Sequence, residues 1–319
     1  MRRRDFIKVV AGSAVTWPPA AHAQQPAMPV IGFLSGRSAD TSVRVLAAFR
    51  KGLNETVEYH WLEGRYDRLP ALLADLIRRQ VAVIAIPGSA PAALAAKAAT
   101  AKIPIIFGIG EDPVRLGLVA SLARPGGNAT GINFFVNEVL AKRLRLLHDM
   151  VPKAVRVAVL VNPSNVSSTE ATLHVAQEVA HAVGLQIQIV NATTIGTIDE
   201  AFASFARERP DALFVAPDGL FASRAVQFAT LSARDKIPAT YSERDTAAVG
   251  GLMSYGADVT EMYHQVGVYS GSILKGSKPA DMPVMQSTKF EFVINLQTAR
   301  ALGIQVPSGL LSIADEVIE

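Results

Sequence analysis

The stretch VAVIAIPGSA at residues 81–90 has a counterpart, DALFVAPDGL, at residues 211–220. In each stretch a short apolar run ends in proline and glycine, which is typical of a buried strand followed by a turn. A helical pattern follows each turn, and the triplet Lys-Ile-Pro ends both patterns, at residues 102–104 and 236–238. The chain therefore repeats one strand–helix–strand unit after about 130 residues.

Strands and helices alternate on both sides of this unit. The predicted strands lie at residues 30–34, 57–61, 81–86, 105–108, 156–161, 185–190, 212–216 and 239–241, and the helices at 40–54, 69–79, 168–183 and 199–209. Such alternation favours a parallel sheet with helices on both faces. The sequence thus predicts an α/β protein of two similar doubly wound parallel-sheet lobes.

Extended segments suggest where the chain passes between the lobes. One follows residue 130, one follows Gly250-Gly251, and one covers residues 285–292, so we expect three hinge crossings. The predicted first lobe is residues 28–130 plus 247–280, and the second is 131–246 plus 281–319. Because open parallel sheets bind ligands at the carboxyl ends of their strands, two facing lobes predict one cleft between them.

Residues 1–23 have the pattern of a cleaved secretory signal peptide. RRR at residues 2–4 precedes a mostly apolar stretch, and AHA at residues 21–23 resembles a cleavage site. The segment RRDFIK at residues 3–8 also resembles the twin-arginine export motif. The chain has 319 residues and no cysteine, which excludes a lipid-modified N-terminal cysteine. We therefore expect the mature protein to be free in the periplasm.

Composition and motifs exclude several functional classes. Without cysteine there is no disulfide scaffold, thiol nucleophile or iron–sulfur cluster. The net charge of +3 comes from residues 1–23, and the neutral remainder is a poor nucleic-acid binder. No zinc-protease, nucleophile-elbow or phosphate-loop motif occurs. We therefore predict no catalytic residue, no metal and no cofactor, and a protein that is not an enzyme.

Five stretches, taken together in their order and spacing, resemble a known family. They are VIGFLSG at 30–36, EGRYDRLP at 63–70, GEDPV at 110–114, PGGNATG at 125–131 and VNPSN at 161–165. They are similar to the ABC-transporter substrate-binding family that includes tryptophan- and tyrosine-type binders, and the likeness covers residues 28–319. One departure is the absence, near Thr56, of a turn of about ten residues that usually separates the first helix from the second strand.

The resemblance implies a fold, a ligand and a partner. The fold is the type I periplasmic binding protein fold, which closes about its hinge on a small polar solute. The ligand is an amino acid or related carboxylate, aromatic ones included. The partner is an ABC permease in the inner membrane, and the protein is expected to be a monomer. The alternatives are a periplasmic sensor of the same fold that docks on a membrane receptor and, less favoured, an exported enzyme.

Nine side chains follow predicted strands and are therefore candidate ligand-binding residues. They are Ser35, Ser89 and Asp112 in lobe one, Asn162, Asn165, Asp218, Tyr241 and Glu243 in lobe two, and Tyr255 on the returning segment. Ser89 begins a helix whose amides suit a ligand carboxylate. Asp218 could hold an ammonium group, and Tyr241 could stack on a ligand ring.

Several of these candidates also have a local interpretation. Ser89 could only cap its helix. Asp112 and Asp218 could only shape the turns beside Pro113 and Gly219, and the two asparagines could serve the turn around Pro163. The sequence leaves these alternatives open.

Overall fold

Two sheets, each forming the centre of one lobe, organise the computed structural model of the chain. The structure describes residues 29–319 apart from residues 52, 54 and 135, so the predicted signal peptide at residues 1–23 lies outside the described residues. The first half of the fold contains β1 (Val30–Ser35), α1 (Val43–Arg50), β2 (Thr56–Trp61), α2 (Leu69–Arg78), β3 (Val83–Pro87), α3 (Ala90–Ala99), β4 (Ile105–Ile109) and β5 (Ala129–Asn133).

The second lobe repeats this alternation. Its elements are α4 (Val136–Met150), β6 (Arg156–Val161), α5 (Val166–Val183), β7 (Gln186–Asn191), α6 (Ile195–Ser204), β8 (Ala212–Val215), α7 (Gly219–Ala222), α8 (Ala225–Arg234), β9 (Ala239–Tyr241), α9 (Arg244–Ala248) and β10 (Met253–Ala257). The remaining elements are α10 (Val259–Leu274), β11 (Met285–Gln286), β12 (Phe290–Asn295), α11 (Leu296–Ala301), α12 (Ser308–Ile313) and β13 (Glu316–Ile318).

The strand order confirms the predicted α/β class. The first sheet has the order β11-β5-β4-β3-β1-β2, with every pair parallel. The second has the order β13-β12-β10-β9-β8-β6-β7, in which β10 and β12 form the antiparallel pair. Three crossings join the lobes, after β5, after β10 and after β11.

The crossings lie later in the chain than the predicted boundaries at residues 130, 246 and 280. The strand pairing puts β5 and β11 in the first sheet and β10 in the second. The second crossing lies later because β10 pairs with both β9 and β12. Gly250 and Gly251 form a turn that leads into β10, and Gly250 has a φ of 109°, a conformation that favours glycine. This turn is part of lobe two rather than a hinge.

Both faces of each sheet are buried. Within β3, Val83 and Ala85 pack into one apolar cluster, while Ile84 and Ile86 pack into another on the opposite face. Helix α10 returns to lobe one and covers the first of these faces with Met262. This two-sided burial explains why the parallel strands are continuous apolar runs in the sequence.

The shortened link before Thr56 leaves the sheet register intact. All six residues of β2 pair with β1, from Val30 opposite Thr56 to Ser35 opposite Trp61. Helix α1 is shorter than the predicted helix at residues 40–54, because it begins at Val43 and ends at Arg50. Among the described residues, none of the helices has both the length and the apolar character to cross a bilayer.

Candidate functional site

A cleft lies between the lobes, at the carboxyl ends of strands from both sheets. Its volume is about 850 Å³, including solvent-open space at its mouth. The segments after β3, β4 and β5 line one side, and those after β6, β8, β9 and β10 line the other.

The lobe-two side carries a set of polar residues that we call the polar wall. Its members are Asn165, Ser168, Asp218, Ser242 and Glu243. Asp218 follows β8 and is its central group. The Asn162 Nδ2 atom donates to Asp218 Oδ1 at 3.2 Å, and Asn165 Nδ2 donates to Oδ2 at 3.0 Å. The backbone N–H of Leu220 also donates to Oδ1, at 2.9 Å.

Burial raises the pKa of Asp218, because the carboxylate loses solvation, and the two asparagine hydrogen bonds offset part of this rise. The Asn165 Oδ1 atom is buried and accepts no hydrogen bond from any described residue. Ser168 uses its hydroxyl proton on the carbonyl of Pro217, at 2.6 Å. The polar wall near Asp218 thus presents acceptors rather than free donors.

A buried arginine supports the strand that leads to Asp218. Arg143 on α4 is fully buried, and its Nη2 atom donates to the carbonyl of Val215 at 2.7 Å. Its guanidinium also lies 4.1 Å from the ring centroid of Phe214. Burial lowers the pKa of Arg143 to about 9. These contacts fix the end of β8, three residues before Asp218.

The lobe-one side carries a set of apolar and aromatic residues that we call the apolar wall. Its members are Ile109, Phe134, Val259, Met262 and Tyr263. Met262 and Tyr263 lie on α10 and are 2% and 0% exposed, so packing holds them in place. The Tyr263 hydroxyl lies 3.4 Å from the hydroxyl of Ser35. This wall suits an aromatic or aliphatic group of a ligand.

One acidic residue interrupts the lobe-one side. Glu111 follows β4 and lines the cleft. Burial raises the pKa of its carboxyl group, and the backbone N–H groups of Glu111 and Gly110 offset this in part.

The lobes touch beside the cleft. Arg37 of lobe one forms an ion pair with Glu243 of lobe two, and its guanidinium lies 5.8 Å from the ring centroid of Tyr263. Burial is the largest influence and lowers the pKa of Arg37, but Glu243, Tyr263 and Asp245 together outweigh it, so the pKa is raised. The backbone N–H of Ser38 donates to the Ser223 hydroxyl at 2.9 Å. The lobes are therefore in a closed arrangement.

Two glycines allow the lobes to approach so closely. A Cβ atom on Gly219 would lie 2.7 Å from the carbonyl carbon of Gly36 and 2.9 Å from its Cα atom. Such distances are far shorter than van der Waals contact, and backbone atoms cannot turn aside as a flexible side chain can. A side chain at residue 219 is thus incompatible with this lobe contact.

The structure brings three of the nine sequence candidates into the cleft lining: Asn165, Asp218 and Glu243. Three more lie directly behind it. Ser35 adjoins Tyr263 and Asn162 holds Asp218. Ser89 lies between the lining residues Gly88 and Ala90. Its side chain caps α3 by accepting a hydrogen bond from the N–H of Ala92.

The other three candidates lie outside the lining, although each is next to a lining residue. Asp112 is exposed and accepts from the N–H of Val114 at 2.8 Å, which is the turn interpretation. Tyr241 is buried in the core of lobe two and its hydroxyl is 2.9 Å from Ser232. Tyr255 packs against the ring of Phe292. Ligand contact by any of the nine stays a prediction.

Several residues of the cleft lining are not among the nine predicted candidates. They are Arg37, Glu111, Phe134, Met262 and Tyr263. Arg37 directly follows the stretch at residues 30–36, and Glu111 lies within the stretch at 110–114. A charged residue close to the end of a predicted strand is the signal that could have found both. The two α10 residues carry no such signal, because an apolar helix face is equally typical of a core.

Comparison with known proteins gives a consistent result. Residues 35–318 match the model of a family described as ABC transporter substrate binding protein. The chain is 31% identical over 217 residues to a tyrosine-binding protein of Clostridioides difficile. That match covers 68% of this chain and 62% of the relative, so the chain spans less than two thirds of that protein's length.

Solved structures agree on the fold. An ABC domain from Streptococcus pneumonia in complex with L-Trp is 25% identical, has a TM-score of 0.79, and aligns with 90% of this chain and 100% of its own. A ligand-free, open substrate binding protein with adhesive properties from Clostridium difficile is also 25% identical, with a TM-score of 0.58 over 91% and 99% of the two chains. The lower score of the open structure agrees with the closed lobes seen here.

These matches confirm the type I periplasmic binding protein fold that the sequence predicts. The family consists of substrate-binding proteins rather than enzymes. Its model covers both lobes, from the end of β1 to β13. The chain belongs to the ABC transporter substrate binding protein family.

Proposed function

We propose that the protein captures an aromatic amino acid in the periplasm and delivers it to an ABC permease. The family supports the transport role, and a tyrosine-binding protein and an L-Trp complex among its relatives support the ligand class. The signal-peptide pattern of residues 1–23 supports export. The sequence also predicts a monomer, which analytical ultracentrifugation can check.

The observation that carries the proposal is the contrast between the two sides of the cleft. The polar wall of lobe two is centred on Asp218, and the apolar wall of lobe one is centred on Phe134, Met262 and Tyr263. An aromatic amino acid has the same division, because an ammonium group and a ring lie at opposite ends of one small molecule. Its ammonium group matches Asp218, and its ring matches the apolar wall.

The carboxylate of such a ligand fits the start of α3, where the cleft lining carries no charged side chain. Gly88 and Ala90 line the cleft at the start of α3, where backbone N–H groups and the helix dipole favour an anion. A ligand placed in this way contacts both lobes, so it stabilises their closed arrangement. The permease would then distinguish loaded from empty protein by lobe closure.

The test is calorimetric titration and thermal unfolding with L-tyrosine and L-tryptophan. A ligand present at 100 times its Kd adds about 2.7 kcal/mol to the free energy of unfolding, and several degrees to the Tm. Asp218→Asn should weaken binding about 100-fold, since a hydrogen bond to a charged group contributes about 1.5–3 kcal/mol. Asp149→Asn, at an exposed position on α4, is the matched control and should bind normally.

Absence of binding by both amino acids, in a protein that unfolds cooperatively, would refute the ligand class. Binding unaffected by Asp218→Asn would refute the assignment of the ammonium group to the polar wall.

A further inference from the structure

Arg37 of lobe one is the one cationic side chain among the described lining residues of the cleft. Its side chain is 7% exposed, and its Nη2 atom forms the ion pair with Oε1 of Glu243. A guanidinium group carries five N–H donors, so Arg37 keeps donors for a second acceptor after this pair is made. Their planar arrangement matches the two oxygen atoms of a carboxylate. Arg37 is therefore equipped to bind an anionic group in the cleft.

The backbone brings Arg37 and Asp218 to the same part of the cleft from opposite lobes. Arg37 directly follows Gly36, and Asp218 directly precedes Gly219. The two glycines are in contact, since a Cβ atom on Gly219 would lie 2.7 Å from the carbonyl carbon of Gly36. Both charged residues also line the cleft. Each lobe thus places one charged side chain beside the lobe contact, a cation from lobe one and a carboxyl group from lobe two.

An α-amino acid requires such an arrangement, because its ammonium and carboxylate groups are bonded to the same carbon atom. The partner of the carboxylate must therefore lie close to the partner of the ammonium group, which the proposed function assigns to Asp218. Arg37 forms its ion pair with Glu243 and not with Asp218. A ligand can therefore lie between Arg37 and Asp218 without breaking an existing pair.

The start of α3 adjoins the same arginine. The backbone N–H of Arg37 donates to the Ser35 hydroxyl at 3.3 Å, and that hydroxyl lies 3.4 Å from the hydroxyl of Tyr263. The Tyr263 hydroxyl would in turn lie 3.9 Å from a Cβ atom on Gly88, which lines the cleft just before α3. The Arg37 guanidinium lies 5.8 Å from the ring centroid of Tyr263. A carboxylate at the start of α3 therefore has Arg37 as its cationic neighbour.

We propose that Arg37 binds the carboxylate of the ligand and is held in position by Glu243 of the opposite lobe. The inference rests on the proposed function and narrows its substrate class to compounds that carry a carboxylate beside the ammonium group. Because Glu243 belongs to lobe two, it holds Arg37 only in the closed arrangement. Recognition of the carboxylate and closure of the lobes therefore depend on the same ion pair.

Two compounds that differ only in the carboxylate test the inference in the unmodified protein. L-tryptophanamide keeps the ring and the ammonium group of L-tryptophan but replaces its carboxylate with a neutral amide. Calorimetry at pH 6, where the amine of each compound carries its proton, compares the two affinities. We expect L-tryptophan to bind at least tenfold more tightly. A preference below tenfold would overturn the inference without any variant.

A pair of variants separates carboxylate binding from lobe contact. Arg37→Gln removes both the cation of the cleft and an ion pair between the lobes. Arg44→Gln is the matched control, because Arg44 on α1 forms a second ion pair between the lobes, 2.9 Å from Asp245 on α9, and lies outside the cleft lining. Arg37→Gln should reduce the preference for L-tryptophan over L-tryptophanamide at least fivefold, and Arg44→Gln should leave it unchanged. A smaller reduction in Arg37→Gln, or an equal one in Arg44→Gln, would overturn the inference.

The outcomes separate this inference from the proposed function. Binding of L-tryptophan with no preference over L-tryptophanamide would leave the proposed function standing and would overturn the role of Arg37. Failure of L-tyrosine, L-tryptophan and L-tryptophanamide to bind would overturn both.

Discussion

The two lobes have one architecture but opposite surfaces where they face the cleft. Lobe two turns polar side chains into it from the segments after β8 and β9, and Asp218 is held in place by Asn162 and Asn165. Lobe one turns mainly apolar groups into it, with Met262 and Tyr263 supplied by α10, which crosses back from lobe two. A repeated fold therefore places two walls, and local sequence decides what each wall recognises.

The polar wall and the apolar wall also differ in the interactions that fix their side chains. The position of Asp218 depends on hydrogen bonds among loop side chains, whereas the positions of Met262 and Tyr263 depend on close packing against the first sheet. A hydrogen-bonded wall gives specificity for charge, and a packed wall gives affinity through apolar area. Three perturbations can separate these contributions.

The largest effect is expected from preventing the walls from meeting. Gly219→Ala places a Cβ atom 2.7 Å from the backbone of Gly36, so the lobes cannot reach the observed contact. We expect ligand affinity to fall at least tenfold, or about 1.4 kcal/mol, while each lobe keeps its fold. Calorimetric titration measures the affinity, and small-angle scattering should show lobes that stay apart with ligand present.

The matched control is Gly196→Ala on α6. A Cβ atom there would meet nothing within 4 Å, so the substitution adds the same methyl group without a clash. Its binding should equal that of the unmodified protein. Equal affinity in Gly219→Ala would show that lobe contact is not coupled to ligand binding.

A smaller effect is expected from the apolar wall. Phe134→Ala removes a ring from the cleft lining, and an aromatic contact contributes about 0.5–1.5 kcal/mol beyond its buried area. Affinities for tyrosine and tryptophan should fall about three- to tenfold, and to a similar degree for each. A competition assay with several ring-bearing ligands measures both values. Loss of charge discrimination in this variant would contradict the division of roles between the walls.

The smallest effect concerns stability and pH. Burial raises the pKa of Glu111 in the folded protein, so between its unfolded and folded pKa values the folded state binds the proton more strongly. Its contribution to stability is therefore present at low pH and is lost as pH rises through the raised pKa. Glu111→Gln should be more stable than the unmodified protein at pH 7, by about 1 kcal/mol.

Urea unfolding of both proteins at pH 4 and pH 7 measures this difference. It should be largest at pH 7 and close to zero at pH 4. A difference of equal size at both pH values would point to packing rather than charge.

The repeat made the architecture predictable, because strands buried on both faces are continuous apolar runs bounded by turns. The second and third crossings were harder to place. The Gly250-Gly251 pair was a reasonable hinge signal, but strand pairing of β10 with β9 and β12 is a long-range effect that local sequence does not show. Helix α4 was not assigned at all.

The individual residues that line the cleft were harder to predict than the loops that carry them. Ser89, Asp112, Tyr241 and Tyr255 were chosen at strand ends, and in each case an adjacent residue lines the cleft instead: Gly88 and Ala90, Glu111, Ser242, and Gly256. Successive side chains point in opposite directions along a strand. The motifs therefore predicted the correct loops. Which of two adjacent residues faces the cleft depends on the exact residue at which each strand ends.

The ion pair between Arg37 and Glu243 has a consequence for the rate at which a ligand dissociates. It joins the lobes beside the cleft, so the lobes cannot part until this pair separates. For ligands that leave only through parted lobes, the frequency with which the pair separates is one shared upper limit on the dissociation rate, whatever their affinity.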